Sequence, residues 1–152
     1  MSMETRDKKE WVCVFVEGTI LDDKHRLNLP NQGFDRPDFV KKDRPVVGAA
    51  ETLDKIAKKY KIFYLSTREP KLHEITKQWI TEHGFPEGEV YFGETLEERL
   101  ELVRRLKTEK NIVAGIGDRW DDNLLHLEIG CLSIILKEYE GDWKTVEKYL
   151  LV

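Results

Sequence analysis

Three short stretches hold the residues that could do chemistry. They are Phe15-Val16-Glu17-Gly18-Thr19, Ser66-Thr67-Arg68, and Gly117-Asp118-Arg119-Trp120-Asp121-Asp122. Together they offer hydroxyls, backbone N–H groups, two arginines and several carboxylates. Hydroxyls, arginines and helix N-termini suit an anion such as phosphate. Carboxylates suit a hard cation such as Mg²⁺. If the stretches meet in space, they make a site for a phosphate held beside Mg²⁺. Gly18 permits a turn that other residues resist.

Whether they meet depends on the elements between them. Residues 11–16 (WVCVFV) form a short apolar, β-rich run, which predicts a buried strand. A long irregular stretch follows, punctuated by Pro30, Gly33 and Pro37. Val46, Ala49, Ala50, Leu53, Ile56, Ala57 and Tyr60 then recur at helical spacing. Residues 61–66 (KIFYLS) predict a second buried strand. Over 70–83, Pro70 opens a helix whose stripe is Leu72, Ile75, Trp79 and Ile80, and Gly84 ends it. A third strand falls at 89–92 and a helix at 95–110, striped by Leu96, Leu100, Val103 and Leu106. A fourth strand falls at 111–116, a helix at 120–129 and a fifth strand at 131–136. The tail after Gly141 is a candidate for a last helix.

Strands alternating with helices imply parallel β-α-β units. Right-handed crossovers then place helices on both faces of the sheet. The expected fold is therefore α/β: a three-layer α/β/α sandwich around a mainly parallel, Rossmann-like sheet of about five strands. Its 152 residues suit one domain, with a core over about 11–136 and a tail or helix over 137–152. In such sheets ligands bind outside the carboxyl ends of the strands. That rule selects the segments after Val16, Ser66, Phe92 and Ile116, which include all three stretches.

The order and spacing of these pieces resemble the haloacid dehalogenase-like (HAD) superfamily of phosphohydrolases. Within it they look most like the group containing the phosphatase domain of phage polynucleotide kinase. The resemblance runs from about Trp11 to Trp143. It is carried by the GTI turn at Gly18, the HRL triplet at His25, the STR at Ser66, the HGFP turn at His83, the RLELVRRL helix at Arg99 and the GDR turn at Gly117. It implies a nucleophilic Asp at position 15, where this chain has Phe15. The general acid–base position holds Glu17, about one methylene longer than the family's Asp. Ser66 matches the phosphate-holding hydroxyl. Arg99 stands at the position of a charge-neutralising Lys and differs from it in size and geometry. Asp118 matches an acidic Mg²⁺ ligand, with Asp122 as a second candidate. Gly18, Thr19, Thr67 and Arg68 complete the implied phosphate pocket.

Phe cannot attack phosphorus or bind a metal, so the resemblance implies a phosphatase fold with impaired catalysis. Such a protein would bind a small phosphorylated ligand or a protein partner, with Mg²⁺ held weakly or not at all. The rival is an active Mg²⁺-dependent phosphomonoesterase acting on nucleotides or polynucleotide 3′ ends. Each residue also has a plainer role open to it. Glu17 could be a solvated turn carboxylate, Ser66 a turn cap, Arg99 a surface residue, and Asp121 and Asp122 favourable charges at a helix N-terminus. Asp22 and Asp23 lie too far past the strand end to replace the nucleophile. His25, His73, His83 and His126 show no metal-ligand spacing, and Trp120 could line the pocket or pack in the core.

Composition narrows the class. Apolar residues are 40% and charged residues 36%, a globular, charge-rich balance. The 25 Lys and Arg are outnumbered by 29 Asp and Glu, which argues against general nucleic-acid binding. Cys13 and Cys131 sit in apolar runs, as buried structural thiols do, and a reducing, cytoplasmic setting fits them. The opening MSMETRDKKE lacks the apolar run of a signal peptide, and no apolar run approaches the ~20 residues of a membrane span.

Overall fold

The computed structural model describes residues 7–24 and 40–151. His25, Pro30, Gly33 and Pro37 lie outside the described residues. Among the described residues the elements are seven strands and five α-helices: β1 (Asp7–Phe15), β2 (Leu21–Asp22), β3 (Arg44–Pro45), α1 (Ala49–Ile56), β4 (Lys61–Ser66), α2 (His73–Glu82), β5 (Val90–Phe92), α3 (Leu96–Glu109), β6 (Lys110–Gly117), α4 (Trp120–Ile129), β7 (Leu132–Ile135) and α5 (Trp143–Leu150). Five strands form one sheet in the order β5-β4-β1-β6-β7. Every pairing in it is parallel. β2 and β3 form a separate antiparallel ribbon.

Two apolar layers cover the sheet because side chains alternate along a strand. Val12, Val14 and Val16 join Leu53, Ile56, Trp79 and Trp143 on one face. Cys13 and Phe15 join Phe63, Leu65, Val103, Leu106 and Leu125 on the other. The expected three-layer α/β architecture is what the chain adopts. Pro70 opens a 3₁₀ turn (Pro70–Leu72) rather than α2 itself, which begins at His73. The Thr95 side chain caps α3 by accepting from the Glu98 N–H. α5 is real, started by Asp142 and tied to α1 through Thr52 Oγ1, which donates to Glu147 at 2.8 Å. No helix among the described residues is long and apolar enough to cross a membrane.

This topology positions the site. β1 lies between β4 and β6, so the segments leaving all three emerge side by side at one edge of the sheet. Glu17, Ser66 and Asp118 follow from that adjacency.

Candidate functional site

Glu17 is the centre of the cluster at this edge. Its Oε2 accepts from Ser66 Oγ at 2.8 Å, and its Oε1 accepts from the Thr67 N–H at 2.9 Å and Thr67 Oγ1 at 3.1 Å. Arg68 Nε stands 3.3 Å from Oε2. Ser66 Oγ in turn accepts from the Arg68 N–H. The rest of the Arg68 guanidinium faces Asp23 at 3.5 Å and Asp43 at 3.6 Å. Arg68, Ser66, Asp23 and Asp43 are all buried. The chain after β7 closes over this arrangement: the Tyr139 N–H donates to the Gly18 carbonyl and its hydroxyl donates to Asp23 at 2.7 Å. A cleft of about 300 Å³ opens beside the cluster, lined by Glu17, Asp23, Thr67, Arg68, Glu69, Leu72, Glu94 and Arg119. A larger cleft, about 490 Å³, lies at the opposite edge among Trp11, Tyr60, Lys61 and Lys110, away from all three stretches.

Asp118 follows β6 and meets the turn after β1. Thr19 Oγ1 donates to its Oδ1 at 2.7 Å. Its Oδ2 is buried without a hydrogen-bond partner. Burial pushes its carboxyl up to about 7, against the pull of the Thr19 bond. Gly18, at φ +84°, lies so close that a Cβ there would collide with this carboxylate. Asp122 turns inward, and its Oδ2 accepts from the N–H groups of Asp118 and Arg119 at 2.9 and 3.0 Å. These are free donors at the start of α4, so Asp122 closes the helix end. Arg99 is buried. Its Nη1 donates to the carbonyls of Gly93 and Glu94, and its Nη2 faces Asp121 at 3.6 Å.

Phe15 points into the apolar layer beneath this edge. It is 3% exposed and lies 5.6 Å from the His126 ring, at a 60° tilt. His126 fits against the sheet only because position 115 is glycine; a Cβ there would collide with the ring. Ser133 Oγ donates to Asn123 Oδ1, so it accepts from His126 Nδ1–H, each at 2.7 Å. The Nε2 lone pair is left buried and unpaired. Burial lowers the His126 pKa to about 4 from the ordinary 6.5. The unfolded chain therefore takes up this proton first. The stability the neutral ring carries is complete above about 6.5 and is lost as pH falls through about 4, a total of about 3 kcal/mol. Urea unfolding of the native chain and His126→Gln across pH 4–7 checks this. The variant should lose less stability than the native chain on acidification, and parallel pH curves would contradict the assignment.

No family model matches the sequence. Solved structures match the fold. A chain of the Pnkp1/Rnl/Hen1 complex aligns at TM-score 0.69 and 14% identity, over 90% of this chain and 49% of that one. The class C acid phosphatase from Bacillus anthracis aligns at 0.63 and 20% identity, over 97% and 75%. A HAD family enzyme from Bacteroides thetaiotaomicron, in complex with magnesium and inorganic phosphate, aligns at 0.58 and 13%, over 91% and 98%. The fold is that of the HAD-like phosphatases. One curated relative, the "Putative nucleotidase" of Bacillus cereus, is 37% identical over 67 residues, which are 41% of this chain and 35% of that protein. The chain thus spans about half of the Pnkp1/Rnl/Hen1 complex chain and a third of the nucleotidase.

On this HAD-like scaffold the structure gathers Glu17, Ser66, Thr67 and Arg68 in one cluster, with Gly18, Thr19 and Asp118 beside it. Arg99 stands close enough for Glu17 to act on it electrostatically, yet its hydrogen bonds go to backbone carbonyls. Trp120 is 72% exposed and belongs to neither apolar layer. His73 and His83 bond the carbonyls of Arg68 and Trp79. Cys13 is buried and Cys131 half-buried, and both are free thiols. Sequence reasoning missed Asp43, Tyr139 and the partnership of His126 with Phe15. Only the last left a signal, a glycine inside an apolar strand at Gly115.

Mg²⁺ in the neighbouring fold raises the question of a metal here. Asp118 Oδ2 is buried without a hydrogen-bond partner, packed against Gly18. Position 15 offers a ring, Asp122 Oδ2 is taken by two N–H groups, and the described residues bring no three acidic, His or Cys side chains together as a metal group. That donor set does not make a resident Mg²⁺ site, which needs octahedral oxygen ligands.

Proposed function

We propose that this chain is a HAD-like phosphatase-fold protein that has lost hydrolytic activity and serves as a binding protein, for a small phosphorylated ligand or a protein partner. The observation that carries this reading is Phe15. The resemblance puts the nucleophile at this position, and its side chain is a ring buried in the apolar layer. No oxygen is present there to form a phosphoaspartate. The charge-neutralising position differs as well, because Arg99 directs Nη1 to the Gly93 and Glu94 carbonyls and Nη2 toward Asp121. A low-affinity Mg²⁺ contact at Asp118 is the most the donor set offers. Loss of a central catalytic group costs orders of magnitude in rate, and what remains comes from binding alone.

The 37% match to a nucleotidase over 67 residues favours a second reading, a working phosphomonoesterase on nucleotides. The resemblance to polynucleotide kinase phosphatases adds polynucleotide 3′ ends to the substrates of this second reading, and a chain of similar fold belongs to an RNA repair complex. Phosphate release from nucleoside monophosphates and a 3′-phosphorylated oligonucleotide, with and without Mg²⁺, decides between them. The expected rate is background, unchanged in Asp118→Asn. Mg²⁺-dependent turnover that falls in Asp118→Asn would establish the enzyme instead.

A further inference from the structure

Glu17 does what a bound oxyanion would do. Two of its oxygens collect four donors: the Ser66 hydroxyl, the Thr67 N–H, the Thr67 hydroxyl and Arg68 Nε. All four come from three consecutive residues at the end of β4. Two oxygens of a phosphate dianion present the same kind of acceptor pair to such a cradle. The Glu17 side chain is 7% exposed, and Glu17 lines the 300 Å³ cleft.

We propose that Glu17 is an internal ligand: its carboxylate fills an oxyanion cradle built by Ser66, Thr67 and Arg68 and keeps free phosphate out. This rests on the reading of the site as a former phosphate pocket. The extra methylene of Glu over Asp supplies the reach that lets the carboxylate bridge to β4. The competitor is tethered, so it acts at an effective concentration that a dissolved anion at millimolar levels does not match. The cradle also has support of its own. Arg68 is held from the far side by Asp23 and Asp43, and Ser66 Oγ is fixed by the Arg68 N–H, so neither depends on Glu17 for its place. Vacating the carboxylate therefore leaves the donors in position and unsatisfied, with Arg119 at the mouth. The carboxylates of Asp23 and Glu94, which also line the cleft, limit how tightly a dianion is held.

The test is titration of inorganic phosphate by calorimetry into the native chain, Glu17→Ala, and Glu17→Ala with Ser66→Ala. Glu17→Ala should bind phosphate roughly tenfold or more tightly than the native chain. The double variant should lose that gain. Equal affinity in native chain and Glu17→Ala, or a gain that survives removal of Ser66, would overturn the proposal. If Glu17→Ala does not fold, Glu17→Gln applies the same test, since it keeps the volume and removes the charge; a smaller gain in the same direction is expected, and no gain overturns the proposal. The binding result is separate from turnover. Phosphate release by the native chain would sink the inactive reading, whereas no gain of binding in the variants would sink only the internal ligand.

Discussion

Phe15→Ala is expected to destabilise the fold by about 3–5 kcal/mol, and Phe15→Asp by more. The first figure is the ordinary cost of deleting a fully buried aromatic, the transfer term plus the cavity it leaves. Phe15 qualifies on every count. It is 3% exposed and belongs to the layer of Cys13, Phe63, Leu65, Val103, Leu106 and Leu125. Its ring also tilts against His126, whose Nε2 is buried without a hydrogen-bond partner. An Asp at this position adds an unpaired buried charge to the cavity, and that penalty is separate from the lost packing. On the proposed reading, Phe15→Asp alone therefore should not yield an enzyme. Urea unfolding of the native chain and both variants gives the numbers. A cost below about 1 kcal/mol for Phe15→Ala would show that the ring is not core, against the burial seen here.

The consequence reaches function. A strand end cannot hold a solvated carboxylate and at the same time be the floor of an apolar layer. The His126–Ser133–Asn123 chain and the glycine at 115 are arranged around the ring as it stands. On the proposed reading, the absence of a nucleophile at this position is thus built into the packing of β1, β6 and α4 rather than confined to one side chain.

Much of this was legible in the residues. Apolar runs bounded by turn residues gave β4 at Lys61–Ser66 and α4 at Trp120–Ile129 without displacement, because each run is short, buried and sharply flanked. β1 was read too short. It begins at Asp7, through Lys9 and Glu10, whose charged side chains carry no strand signal. Pairing of Asp7 with Lys110 and of Glu10 with Asn111 holds that part extended, and backbone pairing leaves no mark on side-chain pattern. The β2–β3 ribbon escaped for the same reason, as two residues on each side have no periodicity to read. At the site, strand order placed Glu17, Ser66, Thr67, Arg68 and Asp118 together correctly. Which anion fills the cradle was not legible, since it depends on one rotamer of Glu17. Nor were the partners of Arg68 on its far side. Asp23 and Asp43 come from the segment that reads as irregular, and Tyr139 arrives from beyond the last strand.

Arg68→Ala should be the other severe substitution, costing about 3–5 kcal/mol. The guanidinium is 8% exposed and lies within 3.6 Å of three carboxylates, those of Glu17, Asp23 and Asp43, of which Asp43 has a fully buried side chain. Taking a cation out of such a group leaves buried negative charge facing negative charge, which costs far more than the pairs themselves contribute. The arginine also joins three separate parts of the chain: the turn after β1, the end of β2, and the segment before β3. Its removal should therefore loosen that ribbon ahead of the sheet. Hydrogen exchange would show the order, with Leu21, Asp22 and Arg44 losing protection in Arg68→Ala while β4 and β6 keep theirs. Arg68→Lys should recover part of the stability, since a single ammonium restores the charge but cannot reach Glu17 on one side and Asp23 with Asp43 on the other. Full recovery by Lys would mean that charge alone matters and that the bridging geometry of the guanidinium does not. Uniform loss of protection across the sheet would mean that Arg68 holds the whole domain rather than the approach to the site.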